Sequence, residues 1–413
     1  MEGRSNWSIW GQRILKKMSM ISKEKCCGCK TCVYVCPSKC ISMVSDEEGF
    51  TYPAVDEEAC THCGACERAC PFHGGNKREK DVRSTAYAAK SRSEEIQLSS
   101  SSGGMFYELS KAVLRNGGTV YGAVFDEVTK KIVHIHVDDI ENLSKLKGSK
   151  YVQSDIGESY NEAKRDLKDD RWVLFSGTPC QIAGLRNYLK ADYERLICVD
   201  VVCHGVPSPL LWERYVYYLE REYGSQIETV NFRCKERGWR DFAFGSKLGS
   251  KSFYQSKDIN PYMQMFLHNY CLRPSCYGCE IKQIMSVADI TMGDFWGVEK
   301  VCPEMNDKNG VSLIIVWNAK GKWLIDEVED SVIFKEVDFQ QAIRFNTPLY
   351  KSVDRPSYRD SFYIDLETRP FDEMIDKYGK AGFSDKLGIL KRNIVARLRG
   401  GRGIRDGVYV VFK

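Results

Sequence analysis

The sequence predicts a small cysteine-bound α+β module followed by an α/β domain with a mixed, largely parallel sheet. Three observations carry this reading. One cysteine run occurs twice before residue 80, a polar break follows at 76–84, and beyond it strand and helix signals alternate. The 413 residues, 43% of them hydrophobic, can bury one or two large cores beside a small module. A net charge of +4 gives no basic surface suited to nucleic acid. The 18 cysteines cluster too tightly for a disulfide framework, and read as ligands kept reduced inside a cell. There is no run of 18 apolar residues, and the start of the chain lacks the apolar centre of a secretory signal. A cytoplasmic protein is therefore expected, with residues 1–20 as a disordered leader, or as an extension ahead of a true start at Met18 or Met20.

The first element is CCGCKTCVYVCP, in which Cys26, Cys29, Cys32 and Cys36 fit C-x2-C-x2-C-x3-C-P. CTHCGACERACP repeats it with Cys60, Cys63, Cys66 and Cys70. Two-residue gaps let three thiolates wrap three corners of a cubane, and the fourth cysteine of each run serves the other cluster. The expected sets are Cys26, Cys29, Cys32 and Cys70 for one 4Fe-4S cluster, and Cys60, Cys63, Cys66 and Cys36 for its partner. Paired zinc knuckles are the alternative, but they lack the terminal Cys-Pro. Cys27 and Cys40 fall outside the pattern and read as packing residues. This two-cluster ferredoxin module, residues 21–80, is too small for a core of its own and is expected to be held together by its clusters.

The second domain is expected over 81–345. Serines and glycines ahead of Met105, Leu109, Ala112 and Val113, with Asn116 to close, mark a helix. TVYGAVFD and KIVHIHVD read as strands. Residues 172–175 read as a buried strand, followed by a Ser176-Gly177 turn and a helix capped by Thr178 with Pro179 at its first position. A strand ending at Val202 and a helix led by Ser208-Pro209 repeat the scheme. In such sheets ligands sit beyond the carboxyl ends of the strands.

That rule supplies a partner for CLRPSCYGC. Cys203 ends the second strand of the pair, and with Cys271, Cys276 and Cys279 it completes a four-thiolate site for a third 4Fe-4S cluster. Cys180 is the substitute if Cys203 is not the ligand, and zinc is the alternative occupant.

The ordered set SSGG, KGSKYVQSD, SGTPCQ, CHGVPSP, CxxxxCxxC and ADITMGDFWG, behind a doubled ferredoxin, resembles the beta subunit family of coenzyme F-420 (deazaflavin) hydrogenases and dehydrogenases. Members are flavin and iron-sulfur proteins that pass electrons between a hydride carrier or organic substrate and one-electron clusters. Relatives reduce chlorophyll derivatives or feed sulfite and glutamate chemistry. The resemblance implies FAD against Ser102, Gly103, Gly104, Lys150, Tyr151, Gln153, Ser154, Gly177, Thr178, Pro179 and Cys180, with Asp294 lining the same cleft. Gly-rich turns at the heads of two helices suit a pyrophosphate, and Lys150 would add a cation. A redox partner protein or ferredoxin and a small two-electron substrate are implied as partners. Two other roles stay open: an electron-delivery subunit without a substrate of its own, and a direct reductase of an organic metabolite, with sugar-linked compounds among the options.

His204, beside a cluster ligand, is a candidate proton donor with Asp294 as the other catalytic candidate; the competing reading of His204 is a turn hydrogen bond. His134 and His136 share a strand face that is expected to meet solvent rather than a metal. Trp239, Trp296, Tyr215, Tyr217 and Tyr218 are expected as core or cleft walls, and Cys198, Cys234 and Cys302 as small buried hydrophobes. Residues 346–413 fall outside the resemblance. Leu387, Leu390, Ile394 and Leu398 outline a basic amphipathic helix, expected either to dock on its own protein or to touch an anionic membrane.

Overall fold

The computed structural model describes residues 21–73, 84–282 and 287–380, and the backbone of 408–412. The expected leader, nearly all of the polar linker and the basic helix of the tail lie outside the described residues.

The N-terminal module holds a short helix α1 (Thr31–Tyr34), a hairpin of β1 (Ile41–Ser45) and β2 (Thr51–Val55), and a second short helix α2 (Ala65–Ala69). Its own apolar cluster is small, Cys40, Ile41 and Val55 with several cysteines packed against it. Such a module gains little stability from burial alone.

The larger part begins with β3 (Thr85–Ser91), α3 (Glu94–Leu98) and α4 (Met105–Arg115), then β4 (Thr119–Phe125), β5 (Ile132–Val137) and α5 (Ser159–Lys168). Two strand-helix units follow: β6 (Val173–Gly177) with α6 (Pro179–Leu189), and β7 (Leu196–Val201) with α7 (Pro209–Tyr223). Both helices start as their sequences dictate. Thr178 precedes α6, with Pro179 at its first position, and the Ser208 side chain accepts from the Leu211 amide ahead of α7. The strand runs through Ser176 and Gly177, where a turn was expected.

Next come β8 (Ile227–Cys234), β9 (Ala243–Leu248), β10 (Lys251–Ser256) and α8 (Pro261–Leu267), then β11 (Ile290–Asp294), α9 (Val298–Val301), β12 (Ser312–Val316), α10 (Ala319–Asp326) and β13 (Val332–Val337). The chain closes with α11 (Phe339–Arg344), α12 (Arg359–Thr368), α13 (Phe371–Tyr378) and β14 (Val408–Phe412).

The main sheet has eight strands in the order β13-β3-β12-β11-β7-β6-β4-β5. Only β11·β7, β7·β6 and β6·β4 pair in parallel; the flanking pairs are antiparallel. The sheet is therefore mixed, and less parallel than expected. A separate antiparallel sheet, β14-β10-β9-β8, has no counterpart in the sequence reading. It shares a core with α7, α8, α12 and α13 through Trp212, Phe244, Tyr262, Phe362 and Met374.

Phe50, at the hairpin of the N-terminal module, is fully buried in that same core. The contact is close: a Cβ on Gly49 would stand 2.4 Å from the Leu210 Cβ and 2.7 Å from its backbone nitrogen, at a φ of +82°. Arg359, in α12, donates to both carboxylate oxygens of Glu48 and to the Leu272 carbonyl. On the other side the Tyr34 ring of α1 meets Tyr160 at a tilt and Tyr188 edge-on. The module is thus held by residues that are distant in sequence. Among the described residues no helix is long and apolar enough to cross a membrane.

Candidate functional site

The carboxyl ends of β6, β7 and β11 lie side by side on one edge of the sheet. They bring Cys180, Cys203 and Asp294 to that edge, because α6 begins two residues after β6 and the loop after β7 begins at Val202.

Cys203 has Cys276, Cys180 and Cys279 as its charge neighbours, with the Lys282 ammonium also close. Cys276 has Cys180 and Cys279, and Cys279 has Cys180 and Lys282. Four thiols therefore converge: Cys180, Cys203, Cys276 and Cys279. Cys271 does not join them. It is fully buried in the apolar core, its thiol pushed up to about 12 by burial. Its carbonyl is pinned by the Ser208 amide and the Tyr363 hydroxyl. Of the expected third set, Cys203, Cys276 and Cys279 come together while Cys271 stands apart, and Cys180 lies beside Cys203. Burial pushes the Cys203, Cys276 and Cys279 thiols up, Cys276 to about 12. Thiolates there would need bound positive charge.

In the N-terminal module Cys26, Cys29, Cys32 and Cys70 line one cavity, and Cys36, Cys60, Cys63 and Cys66 line a second, with Cys66 at the wall of both. The donor sets are those of the doubled run and fit two clusters. Cys40 also lines the second cavity, its sulfur 3.4 Å from that of Cys36. Among the described residues no three His, Cys, Asp or Glu side chains converge tightly enough for one bare ion. The thiolates of a cubane bind four different irons and so stand further apart than the ligands of a single ion.

Cys27 is more than packing. Its thiol is the electrostatic neighbour of those of Cys29 and Cys180. This proximity pushes the Cys27 thiol up and draws the Cys29 and Cys180 thiols downward. A single non-ligand sulfur therefore joins the first cysteine set to the third.

Gln153 lies at the same junction. Its amide donates 3.0 Å to the Cys27 carbonyl, and its oxygen accepts from Arg273 at 3.0 Å. It bridges the two parts of the chain instead of facing a cleft. Ser154 accepts from Gln181 at 3.0 Å. The Tyr151 ring packs on Phe266, and its carbonyl accepts from the Tyr262 hydroxyl.

The helix heads are less open than expected. Gly103 donates its amide to the Ser312 hydroxyl at 3.0 Å, and a Cβ there would stand 2.5 Å from the Ala89 carbonyl. Its glycine is needed for packing against the sheet. Gly104 precedes α4 at a φ of +89°, a left-handed conformation that favours glycine. The Thr178 amide donates to the Gln181 side chain at 2.9 Å, and a Cβ on Gly177 would meet that same side chain. The Ser102 hydroxyl donates to the Val311 carbonyl at 2.9 Å.

Cations gather nearby. Lys150 donates to the carbonyls of Leu146 and Lys147, and burial pulls its pKa down to about 7. Lys235 donates to the carbonyls of Gln97, Ser102 and Asn309, each at 2.6 Å, with burial lowering it to about 8. Lys150 was expected as a cation for the cofactor, whereas Lys235 went unmarked, since an isolated lysine carries no pattern. Arg233 pairs with Asp294 and reaches the Tyr151 hydroxyl at 3.3 Å. Asp294 is thus held in an ion pair.

His204 hydrogen-bonds the Asn269 side chain at 2.6 Å through Nε2, and its carbonyl accepts from Lys282. Burial lowers its pKa, which favours the turn role over proton donation. His134 is buried, donating from Nε2 to the Ser176 carbonyl at 3.1 Å, while His136 is exposed beside Glu162. The strand face expected in solvent is therefore half covered.

Residues 170–341 match the family model that describes the C terminus of the coenzyme F420 hydrogenase/dehydrogenase beta subunit, and residues 25–73 match the 4Fe-4S dicluster domain. A coenzyme F420-dependent sulfite reductase of Methanocaldococcus jannaschii is 26% identical over 338 residues, 78% of this chain and 48% of that protein. The chain spans about half the length of that relative. An uncharacterized ferredoxin of the same organism is 40% identical over 52 residues, 13% of this chain and 66% of the ferredoxin. Among solved structures, a chain of the F420-reducing NiFe hydrogenase complex from Methanosarcina barkeri matches at 16% identity and a TM-score of 0.41. It covers 78% of this chain and 95% of that one, a likeness too distant to carry argument.

Proposed function

We propose that this chain, which joins a 4Fe-4S dicluster domain to a domain of the coenzyme F420 hydrogenase/dehydrogenase beta-subunit family, is an iron-sulfur oxidoreductase passing electrons between a two-electron carrier and one-electron clusters. One observation carries the reading: the Cys27 thiol has Cys29 of one cysteine set and Cys180 of another as its electrostatic neighbours, and α6 packs directly on Cys29 at Gly184. An electron leaving the sheet edge would meet the ferredoxin module there.

Cys26, Cys29, Cys32 and Cys70 would hold the first cluster, and Cys36, Cys60, Cys63 and Cys66 the second. Cys180, Cys203, Cys276 and Cys279 would hold the third, each group storing one electron at a time. Trp239 and Phe232 are buried in two of the apolar cores. Lys282 stands by the third set as a compensating cation.

A two-electron carrier needs a group that can split the pair, and FAD is the group we assign, since flavin exchanges both hydride and single electrons. The half-buried Lys150 and the buried cations Lys235 and Arg233 beside Ser102, Tyr151 and Asp294 support an anionic cofactor there. The Gly103 and Thr178 amides, already donated within the protein, are left out of its binding. A reduced deazaflavin is the donor this reading tries first. Sulfite is not carried over, because the chain spans about half of the relative that bears that name.

The test is anaerobic purification followed by counts of iron, sulfide and acid-released flavin, then mixing with reduced coenzyme F420 under argon. About twelve irons and about one FAD per chain, with bleaching of cluster absorbance, support the reading. Full iron without flavin, even after incubation with FAD, leaves a relay of clusters and removes the hydride step.

A further inference from the structure

Arg273 is completely buried, with no carboxylate among its hydrogen-bond partners in the described residues. Its Nε donates to the Cys26 carbonyl at 2.6 Å, one terminal nitrogen to Gln153 at 3.0 Å, and the other to the Thr51 carbonyl at 2.9 Å. That last nitrogen also points at the Cys26 sulfur, 3.6 Å away. The guanidinium lies over the Tyr52 ring at 4.3 Å. Cys276 stands three residues on, at the end of the short turn Pro274–Cys276, and is itself a charge neighbour of Arg273.

A buried cation normally needs an anion, because desolvation costs more than neutral carbonyls return. The cysteine sulfurs beside Arg273 can supply it. Cys26 belongs to the first ferredoxin set and Cys276 to the sheet-edge set. A cubane held by four thiolates carries net negative charge, and becomes more negative on reduction. Net charge and hydrogen bonds to sulfur are among the factors that set its potential.

We propose that Arg273 is a tuning residue set between two clusters, holding the reduced forms of both by its charge and positioning Cys26 against the third set. The proposal rests on the cluster reading above. The backbone reserves the space for it: a Cβ on Gly28 would stand 2.8 Å from the Arg273 terminal nitrogen and 2.8 Å from the Gln153 amide.

The experiment compares the full-length protein with Arg273→Met and Arg273→Lys, by iron and sulfide content and by EPR-monitored redox titration. We expect Arg273→Met to make at least one couple about tenfold harder to reduce at fixed potential, a downward shift of about 59 mV for one electron. Arg273→Lys, which keeps the charge, should restore most of that shift. Unshifted couples in Arg273→Met, or an equal shift in Arg273→Lys, overturn the proposal. If Arg273→Met loses iron, Gln153→Glu replaces it, keeping the arginine but pairing it with a carboxylate. A lowered potential there supports the proposal, and an unchanged one overturns it. Absence of iron from the unsubstituted protein would instead remove the cluster reading itself.

Discussion

The thiol of Cys27 is the electrostatic neighbour of the thiol of Cys180, so a residue of the ferredoxin run lies beside the second residue of the helix that follows β6. This proximity marks where the two parts of the chain would exchange electrons in the proposed reading, and it makes the identity of the third cysteine set a matter for measurement.

Cys180→Ser and Cys271→Ala should behave differently. The first is expected to lower iron by about four atoms per chain and abolish one EPR signal. The second should keep full iron and cost about 1–2 kcal/mol in urea unfolding, the loss of a small buried side chain. Iron loss in Cys271→Ala with full iron in Cys180→Ser would return Cys271 to the set.

The sequence showed the eight ferredoxin cysteines clearly, because the repeated C-x2-C-x2-C-x3-C-P spacing is local. The choice between Cys180 and Cys271 was not legible, although CLRPSCYGC suggests three ligands together. Cys271 is turned inward by a long-range pairing of Pro207 with Leu272 and by the Tyr363 hydroxyl from α12. No local pattern encodes those partners. The caps of α6 and α7 were readable for the opposite reason, since Thr178, Pro179, Ser208 and Pro209 act on amides within three residues. The antiparallel side of the main sheet was missed because β3, β12 and β13 pair across more than 200 residues.

Glu48 and Arg359 form the least exposed ion pair between the ferredoxin hairpin and α12, their side chains 13% and 2% exposed. Glu48→Gln leaves a buried guanidinium without its anion, and should cost about 3–5 kcal/mol. Thermal unfolding followed by near-ultraviolet dichroism checks this. A double-mutant cycle with Arg359→Met should show the two losses to be far from additive.

His134 gives a pH dependence. Burial holds its pKa at about 4, whereas the unfolded chain titrates near 6.5. Between these values the unfolded state binds the proton and the folded state does not. Stability contributed by neutral His134 is therefore present above 6.5 and lost as pH falls toward 4, by about 2 kcal/mol between pH 7 and 5. His134→Asn should flatten that part of the curve in urea unfolding at the two pH values.

Gly184 of α6 packs on the ferredoxin module, and a Cβ there would stand 2.7 Å from the Thr31 hydroxyl and 2.9 Å from the Cys29 Cβ. Gly184→Leu should preserve the helix but displace the module, costing about 1–3 kcal/mol by overpacking. Rapid-freeze EPR after reduction should show slowed transfer to the ferredoxin clusters, with total iron little changed. Unchanged transfer would place the exchange point elsewhere.

The grip on the N-terminal module also bears on how the protein is made. Cys26 waits for a donor 247 residues later in the chain, and Glu48 for one 311 residues later. During synthesis the ferredoxin segment emerges first, yet the arginines that seal it arrive only when most of the polypeptide has been translated. Closing contacts of such long sequence separation is slow. In that interval its cysteines would stay open to an incoming cluster, and the late arrival of Arg273 and Arg359 would close the module over it.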